Sequence, residues 1–521
     1  MKINKNYLPA VFFTFLGVGY LLGVLITHGS EEKQASKQKL ERLVDFIAGE
    51  YVDEVNLDSI VDLTVNSILE KLDPHSTYIP SSESQAVAEN MRGDFVGIGV
   101  NFYMHNDTMA VVQTIEGGPS EKAGILAGDR ILMADNDTLF GKKHNNDYLF
   151  SKLKGQKGSK VALLVYRKTT GKKYRYTLER GLVNIKSVDV VSVLPNQVGY
   201  IKVNRFAEST YTEFKKGLDE LAAKKVKAVV VDLRDNPGGY LNEAIKMTDE
   251  FLPEGKLIVY TKDRKNKVVK TYATESGDFE KTKVYVLINE SSASASEIFA
   301  GAIQDNDRGT VIGRRSFGKG LVQKEMPMGD GSSVRLTVSR YYTPTGRSIQ
   351  KSYKNGTEEY YTDFYKRFYN GELKNKDSIK VNDTLKFKTP AGRIVYGGGG
   401  IMPDIFVPIA QGQQNESLYF TSQMGITAHF VFEYLDKTRA SFQKLTPEQF
   451  VSANLNSDAL YLDFVKYTIN NGIQVDYGDV KKAFMKELIA EFIKQLYGEK
   501  AYYQFVLIED PMIRKVLDFE N

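Results

Sequence analysis

The sequence predicts a multidomain α+β protein, and three observations carry that expectation. The chain has 521 residues, too many for one ordinary core. Its texture changes along its length, from helical spacing to short β runs, then to alternating strands and helices, and back to helical spacing. With 42% hydrophobic and 26% charged residues, its composition is that of a folded chain. A formal net charge of +4 is weak over this length, and no long Lys/Arg block stands outside mixed-charge segments, so nucleic acid is not an expected partner. The absence of cysteine excludes disulfides, thiolate metal sites and a cysteine nucleophile.

Residues 1–29 read as a membrane anchor or signal segment. Lys2 and Lys5 precede an apolar run from Tyr7 to Thr27, close to the ~20 residues that cross a bilayer as a helix. Positive charge ahead of the run keeps that end in the cytoplasm and places the remainder outside, on the cell-envelope side. A cleaved signal would have a shorter apolar region, and "LITHGS" matches a cleavage site poorly, so an uncleaved anchor is the favoured reading.

Residues 30–92 read as a helical arm, with Leu40, Leu43, Val44, Ile47 and Tyr51 on one face and Ile60, Leu63 and Ile68 on another. Residues 93–180 form a β-rich module of short runs such as "GDFVGIGVNF", "DRILMADN" and "KVALLVYR". Residues 181–410 alternate strand and helix as an α/β core. Asp330-Gly331 supplies a hairpin turn within it, and the polar stretch 351–396 interrupts it as an insertion. Residues 411–521 are a helical extension whose stripe Val480, Phe484, Leu488, Phe492 and Leu496 reads as core or as an oligomer seam.

The five histidines are His28, His75, His105, His144 and His429, and no pair has zinc-ligand spacing. None lies between Leu182 and Pro408, which excludes a histidine-based triad in the α/β core. "GRRSFGKG" fits a phosphate-binding loop from Gly313 to Lys319, but Gly320 stands where Ser or Thr must hold magnesium. The following "LVQKEMPM" reads as a strand instead of the required helix, so both tests for nucleotide binding fail.

"INESSASASEIFAGAIQD" gathers Ser291, Ser292, Ser294 and Ser296 ahead of a helical run, and Ser294 with Glu297 reads as a capping box. A nucleophile in this core would have to use lysine or a carboxylate as its base. Lys319, between Gly318 and Gly320, is the candidate, although a lysine in a glycine loop is by default solvated. Acting as a base near neutral pH requires lowering its pKa by about three units, about 4 kcal/mol; burial against Phe317 and Leu321 could supply this. Ser294 at a helix start has the unpaired N–H of Ala295 beside it and the helix dipole behind it. Gly238 and Gly239 in "DLRDNPGG" could bring a second donor to an oxyanion, or simply turn a strand into a helix.

"DLRDNPGG", "NESSASASEIFAGAIQD", "RRSFGKGLVQ", "RYYTPTGRSIQ" and "GIMPDIFV", in this order, closely resemble the C-terminal processing peptidases, also called tail-specific proteases. The resemblance spans roughly Leu69 to Val407. It implies a serine endopeptidase with a crotonase-like ββα core and an inserted PDZ domain. It makes Ser294 the nucleophile, Lys319 the general base and Gln323 the residue that orients the lysine. The oxyanion donors it implies are the N–H of Ala295 and the Gly238-Gly239 pair. In an unbroken strand Lys319 and Gln323 would lie ~13 Å apart, so the Gln323 role requires the chain to coil near Gly320.

The β-rich module, with "FVGIGV" and "PSEKAGILAGDRIL", looks like a PDZ domain, which adds a protein C-terminus as a strand to a sheet edge. Backbone N–H groups of Gly97, Ile98, Gly99 and Val100 would hold the terminal carboxylate, and Val96, Ile98 and Val100 would shape an apolar pocket. The expected partners are proteins or peptides with apolar, unstructured C-termini, and the membrane through the N-terminal helix. A homo-oligomer is compatible with this reading, and no metal, nucleotide or other cofactor is implied. Two rival readings share parts of it: a non-catalytic PDZ-containing scaffold on the same fold, and an acyl-CoA enzyme of crotonase type.

Overall fold

The structure, a computed structural model, describes residues 38–141, 144–410, 415–442 and 444–521. The expected anchor or signal segment at 1–29 lies outside the described residues. Among the described residues, no helix is long and apolar enough to cross a membrane.

The described chain divides into two units, the smaller made of residues through Pro80 together with Glu325–Leu336. It holds helices at 38–50 and Leu57–Glu70, the second capped by the Asn56 side chain accepting from the Ser59 N–H. Strand Thr77–Ile79 pairs antiparallel with Ser333–Arg335. Leu40, Leu43 and Leu63, expected on apolar helix faces, are exposed. The helical arm expected over 30–92 ends sooner than the sequence suggests, because helix Ser81–Arg92 belongs to the larger unit. Lys154 Nζ lies 2.5 Å from the carboxylate of Glu89, and the Glu208 N–H donates to the Met91 carbonyl at 3.2 Å, which ties that helix to both the β-rich module and the core.

In the larger unit, the β-rich module is an antiparallel sheet of strands β1 (Val100–His105), β2 (Thr108–Thr114), β3 (Arg130–Ala134), β4 (Lys160–Arg167) and β5 (Lys172–Glu179), in that spatial order, with helix α1 (Asn146–Leu153) between β3 and β4 in the chain. Strand β4 shows the period of a half-buried strand: Val161, Leu163 and Val165 are buried, and Lys160 and Ala162 are exposed. β1 is an edge strand of this sheet.

The α/β core follows with β6 (Val188–Leu194), β7 (Val198–Val203), α2 (Thr210–Ala223), β8 (Ala228–Asp232), α3 (Leu241–Asp249), β9 (Leu257–Asp263), β10 (Val268–Tyr272), β11 (Lys283–Ile288), α4 (Ala295–Asp305), β12 (Thr310–Gly313), β13 (Leu321–Pro327), β14 (Ser333–Tyr342) and β15 (Ile405–Phe406). The central sheet has the order β6-β7-β8-β11-β12-β15; β6 pairs antiparallel with β7 and the remaining pairs are parallel. All five residues of β8 are buried, since both sheet faces are covered. Val229 and Val231 pack with α2, α3 and α4. Val230 faces the other way, onto Leu507, Met512, Ile513 and Val516 from the end of the chain. A second sheet places β14 against β9, with Thr261 opposite Tyr341.

In the helical extension, α5 (Ile426–Phe442) and α6 (Lys481–Tyr497) share a core in which Phe484, Leu488 and Phe492 are fully buried with Phe450 and Phe464, so the predicted stripe is core. The final helix α7 (Pro511–Phe519) is capped by Asp510, whose carboxylate also pairs with Arg234 at 2.6 Å.

Candidate active site

Three parallel strands, β8, β11 and β12, end side by side, and the loops leaving them meet. In open α/β sheets the carboxyl ends of strands are where ligands bind. The β8 loop runs through Gly238 and Gly239 to α3, the β11 loop through Ser292 to Ser294 and α4, and the β12 loop through Ser316 to Lys319 and β13. Side chains knit them together: the Asp235 N–H donates to Asn289 Oδ1 at 2.9 Å, and Asn289 Nδ2 donates to Asp235 Oδ1 at 2.8 Å. The Ala293 N–H donates to the Asn236 carbonyl at 3.0 Å, and the Phe317 N–H to the Ser292 carbonyl at 3.0 Å.

The structure separates the four serines. Ser292 is fully buried; its hydroxyl donates to the Leu233 carbonyl at 2.8 Å and accepts from the Asn289 N–H at 3.0 Å. Ser296, also fully buried, donates to the Asn236 carbonyl at 3.0 Å. Both hydroxyls hold loops in place, and Ser291 is exposed. Ser294 stands at the N-cap of α4 with φ 54°, in the left-handed region that a residue with a Cβ enters only when its surroundings enforce it.

Glu297 holds the backbone N–H of Ser294. Its fully buried carboxylate accepts from the Ser294 N–H at 2.9 Å and the Lys319 N–H at 2.8 Å on Oε2, and from the Gly318 N–H at 2.8 Å and the Ser316 hydroxyl at 2.5 Å on Oε1. Burial pushes this carboxyl above its ordinary range, and the four donors oppose that shift. The sequence marks Glu297 as a capping partner of Ser294; the bonds to the Lys319 loop arise only from the fold. Gly318 has φ 91°, so the backbone turns just before Lys319, and the strand β13 starts at Leu321. Gln323 lies in β13 and its side-chain amide donates to Thr337 Oγ1 at 3.3 Å.

Gly238 is pressed against the serine. A Cβ there would stand 2.8 Å from Ser294 Cβ and 2.9 Å from the Ala295 nitrogen, and its φ is 97°. Its N–H, however, donates to Asn236 Oδ1 at 2.9 Å. Of the two glycines expected to offer an oxyanion donor, Gly238 has its N–H engaged within its own loop. Among the described residues no group accepts from the Gly239 or the Ala295 N–H.

The insertion 351–396 forms the wall behind the Lys319 loop, a role its polar sequence did not disclose. Buried Arg367 donates to the carbonyls of Ser316 at 2.8 Å and Phe317 at 3.3 Å, and Arg315 forms a two-pronged pair with Glu372, both bonds 2.7 Å. Lys351 puts its Nζ 3.8 Å from the Phe317 ring centroid and 4.3 Å from that of Tyr360. Burial there pulls its pKa down to about 8, although Asp363 lies 3.3 Å away.

In the β-rich module Val96 pairs with Leu182, and Gly97 with Gly181. Gly99 turns with φ 73°, and the chain enters β1 at Val100. Ile98, expected to shape an apolar pocket, is 2% exposed and packs with Val111 and Ile125 in the module's core. Beside the open edge of β1, Phe102 meets Phe150 of α1 at 5.6 Å, and Phe150 is 42% exposed.

Residues 197–359 match peptidase family S41, residues 96–178 match the PDZ domain, and residues 419–498 match a family of unknown function, DUF8443. These matches define a peptidase that carries a PDZ domain. A carboxy-terminal-processing protease of Bartonella bacilliformis is 35% identical over 329 residues, 62% of this chain and 75% of that protein. The carboxy-terminal processing protease CtpB of Bacillus subtilis is 32% identical over 354 residues, 67% of this chain and 73% of that protein. Among solved structures, the photosystem II D1 C-terminal processing protease is 24% identical, covering 70% of this chain and 85% of that one with a TM-score of 0.37. The chain belongs to the carboxy-terminal processing protease family, peptidase family S41, and is a serine-type peptidase.

Proposed function

We propose that this chain is an endopeptidase of the cell envelope that captures apolar C-terminal tails on its PDZ domain and cuts them with a Ser294/Lys319 dyad on a crotonase-like core. Ser294 Oγ attacks the scissile carbonyl carbon while Lys319 Nζ takes its proton. The oxyanion that forms receives the N–H groups of Ala295 and Gly239. Collapse breaks the C–N bond, and Lys319 returns the proton to the leaving amine. Water then attacks the acyl-enzyme with Lys319 again as base, releasing the new C-terminus. Gln323 orients the lysine.

The observation that carries this reading is the pair of unaccepted N–H groups flanking the one serine that is held in a left-handed conformation. The engaged hydroxyls of Ser292 and Ser296 support the choice of Ser294. The edge position of β1 supports strand addition of a tail, with its carboxylate at Gly97 to Val100. The run Tyr7–Thr27 behind Lys2 and Lys5 supports an anchored chain with its catalytic part outside the cytoplasm.

The test compares initial rates on an unfolded protein ending in apolar residues, the same protein with an amidated C-terminus, and a short peptide. Cleavage of all three should vanish in Ser294→Ala, and amidation should slow only the tailed substrate. Hydrolysis surviving in Ser294→Ala would sink the dyad, and indifference to amidation would sink tail capture.

A further inference from the structure

Away from the serine site, three metal-ligand side chains converge. His105 ends β1, the edge strand of the PDZ domain. His429 and Glu433 lie one turn apart on α5, so both point from the same helix face. His105 Nδ1 is 3.7 Å from Glu433 Oε1, and His429 Nδ1 is 3.4 Å from that same oxygen. One ligand atom from each of the three lies within 4.8 Å of the others. An ion with tetrahedral bonds of about 2.0–2.1 Å spaces its ligand atoms about 3.3 Å apart. The three atoms thus need to move by less than a bond length to share one cation. The chain has only five histidines, and two of them meet here from opposite ends of the sequence.

Asp436, three residues beyond Glu433 on α5, pairs with Arg130 at 2.7 Å and Lys168 at 2.7 Å, so Glu433 is the carboxylate left to the two imidazoles. Asn106 Nδ2 is 3.3 Å from His105 Nε2, the ring nitrogen away from Glu433, and the Tyr467 hydroxyl is 2.8 Å from His429 Nδ1. A cation on that nitrogen takes the place of the tyrosine's hydrogen bond. The three side chains are 19%, 33% and 26% exposed, so an ion can enter from solvent.

We propose that His105, His429 and Glu433 bind one divalent cation of the zinc class and that this ion fastens the PDZ domain to the C-terminal helices. Two imidazoles and one carboxylate favour a first-row transition metal over calcium or magnesium, which require all-oxygen sites. The fastening follows from topology. Val100, Phe102 and Met104 of β1 face the domain's core, whereas Tyr103 and His105 face α5, with their rings 5.5 and 6.0 Å from that of Phe432. An ion at the end of β1 adds coordinate bonds to this packed contact. The site is independent of the serine chemistry.

The experiment titrates zinc chloride into metal-stripped full-length Ser294→Ala protein by calorimetry, which removes self-cleavage from the reading, and repeats it in His105→Gln and Glu433→Gln. The expected result is one zinc per chain, weakened at least about tenfold in each variant, and a cobalt complex with the visible absorption of a four-coordinate site. Circular dichroism and thermal unfolding of the metal-free proteins establish that both variants are folded. Hydrogen exchange of residues 100–105 should slow on adding zinc to the parent and not to the variants. Absence of saturable 1:1 binding, or unchanged affinity in both variants, overturns the site. Zinc binding without slower exchange at 100–105 overturns the fastening.

Discussion

Ser294 and Lys319 donate their backbone N–H groups to the same oxygen of Glu297, at 2.9 and 2.8 Å. One buried carboxylate therefore sets the position of the serine loop relative to the lysine loop. Glu297→Gln keeps the volume but turns an NH2 group toward at least one pair of donors. We expect kcat on a short peptide to fall by about a hundredfold, as for a displacement of the reacting groups by about 1 Å, with KM nearly unchanged. Glu297→Ala leaves several buried donors without an acceptor, at about 1–3 kcal/mol each, and should lower the unfolding midpoint visibly. Wild-type kcat in folded Glu297→Gln would show that the shared carboxylate does not govern the site.

The neighbouring serines should separate into structural and chemical roles. Ser292→Ala leaves the buried Asn289 N–H without its acceptor and removes one of the donors to the Leu233 carbonyl, and should cost about 1–3 kcal/mol of stability. Its folded fraction should keep hydrolysing peptides. Ser294→Ala should do the reverse, with stability near wild type and no turnover. Denaturant unfolding paired with active-site titration distinguishes the two patterns.

Lys319→Arg should be nearly as inactive as Lys319→Ala. A guanidinium keeps its proton at any working pH and cannot accept one from Ser294. Substantial hydrolysis by the arginine variant, measured across pH 6 to 10 (about the range in which a perturbed lysine titrates), would exclude a lysine base.

Gly99→Val should slow cleavage of tailed substrates and leave short peptides unaffected. Gly99 has φ 73°, and a Cβ there would stand 3.3 Å from Val183 Cγ2. A branched side chain disturbs this turn, on whose N–H groups the proposed capture of a terminal carboxylate rests. Equal loss on tailed and short substrates would assign the effect to folding instead.

Lys351 sets a pH dependence of stability. Its folded pKa of about 8 lies below the ordinary 10.5 because of burial. Between these two values the unfolded chain holds the proton and the folded chain does not, so stability gained through this group rises with pH across that window. Relative to Lys351→Met, the wild type should gain up to about 3 kcal/mol from pH 8 to 10.5. Denaturant titrations of both proteins at several pH values check the slope, and a flat difference would show that the ammonium is solvated.

Much of this protein is legible from local pattern. The valine run of β8 and the stripe around Phe484 are set by the period at which a strand or helix buries its residues. Ser294, Lys319 and the Gly238-Gly239 pair stand in short motifs, and it is the family resemblance of those motifs that assigns them roles. Misplacements occurred where the outcome depends on packing between distant segments. Helix Ser81–Arg92 joins the larger unit through Glu89 and Lys154.

By itself, then, the sequence determined the class of elements, their order, the want of cysteine and core histidine chemistry, and the serine and lysine on which the reading rests. Only the tertiary structure decided which serine hydroxyls are already engaged, that Gly239 and not Gly238 keeps its N–H available, and that Glu297 joins the two loops. It also brought the insertion's Arg367 to the carbonyls of the lysine loop, and His105 to His429 and Glu433. The physical reason is the same in each case. Hydrogen-bond partners and shared ligands are fixed by directions and distances of a few ångströms between strand ends and helices, and no local periodicity in the chain encodes which distant segments will meet.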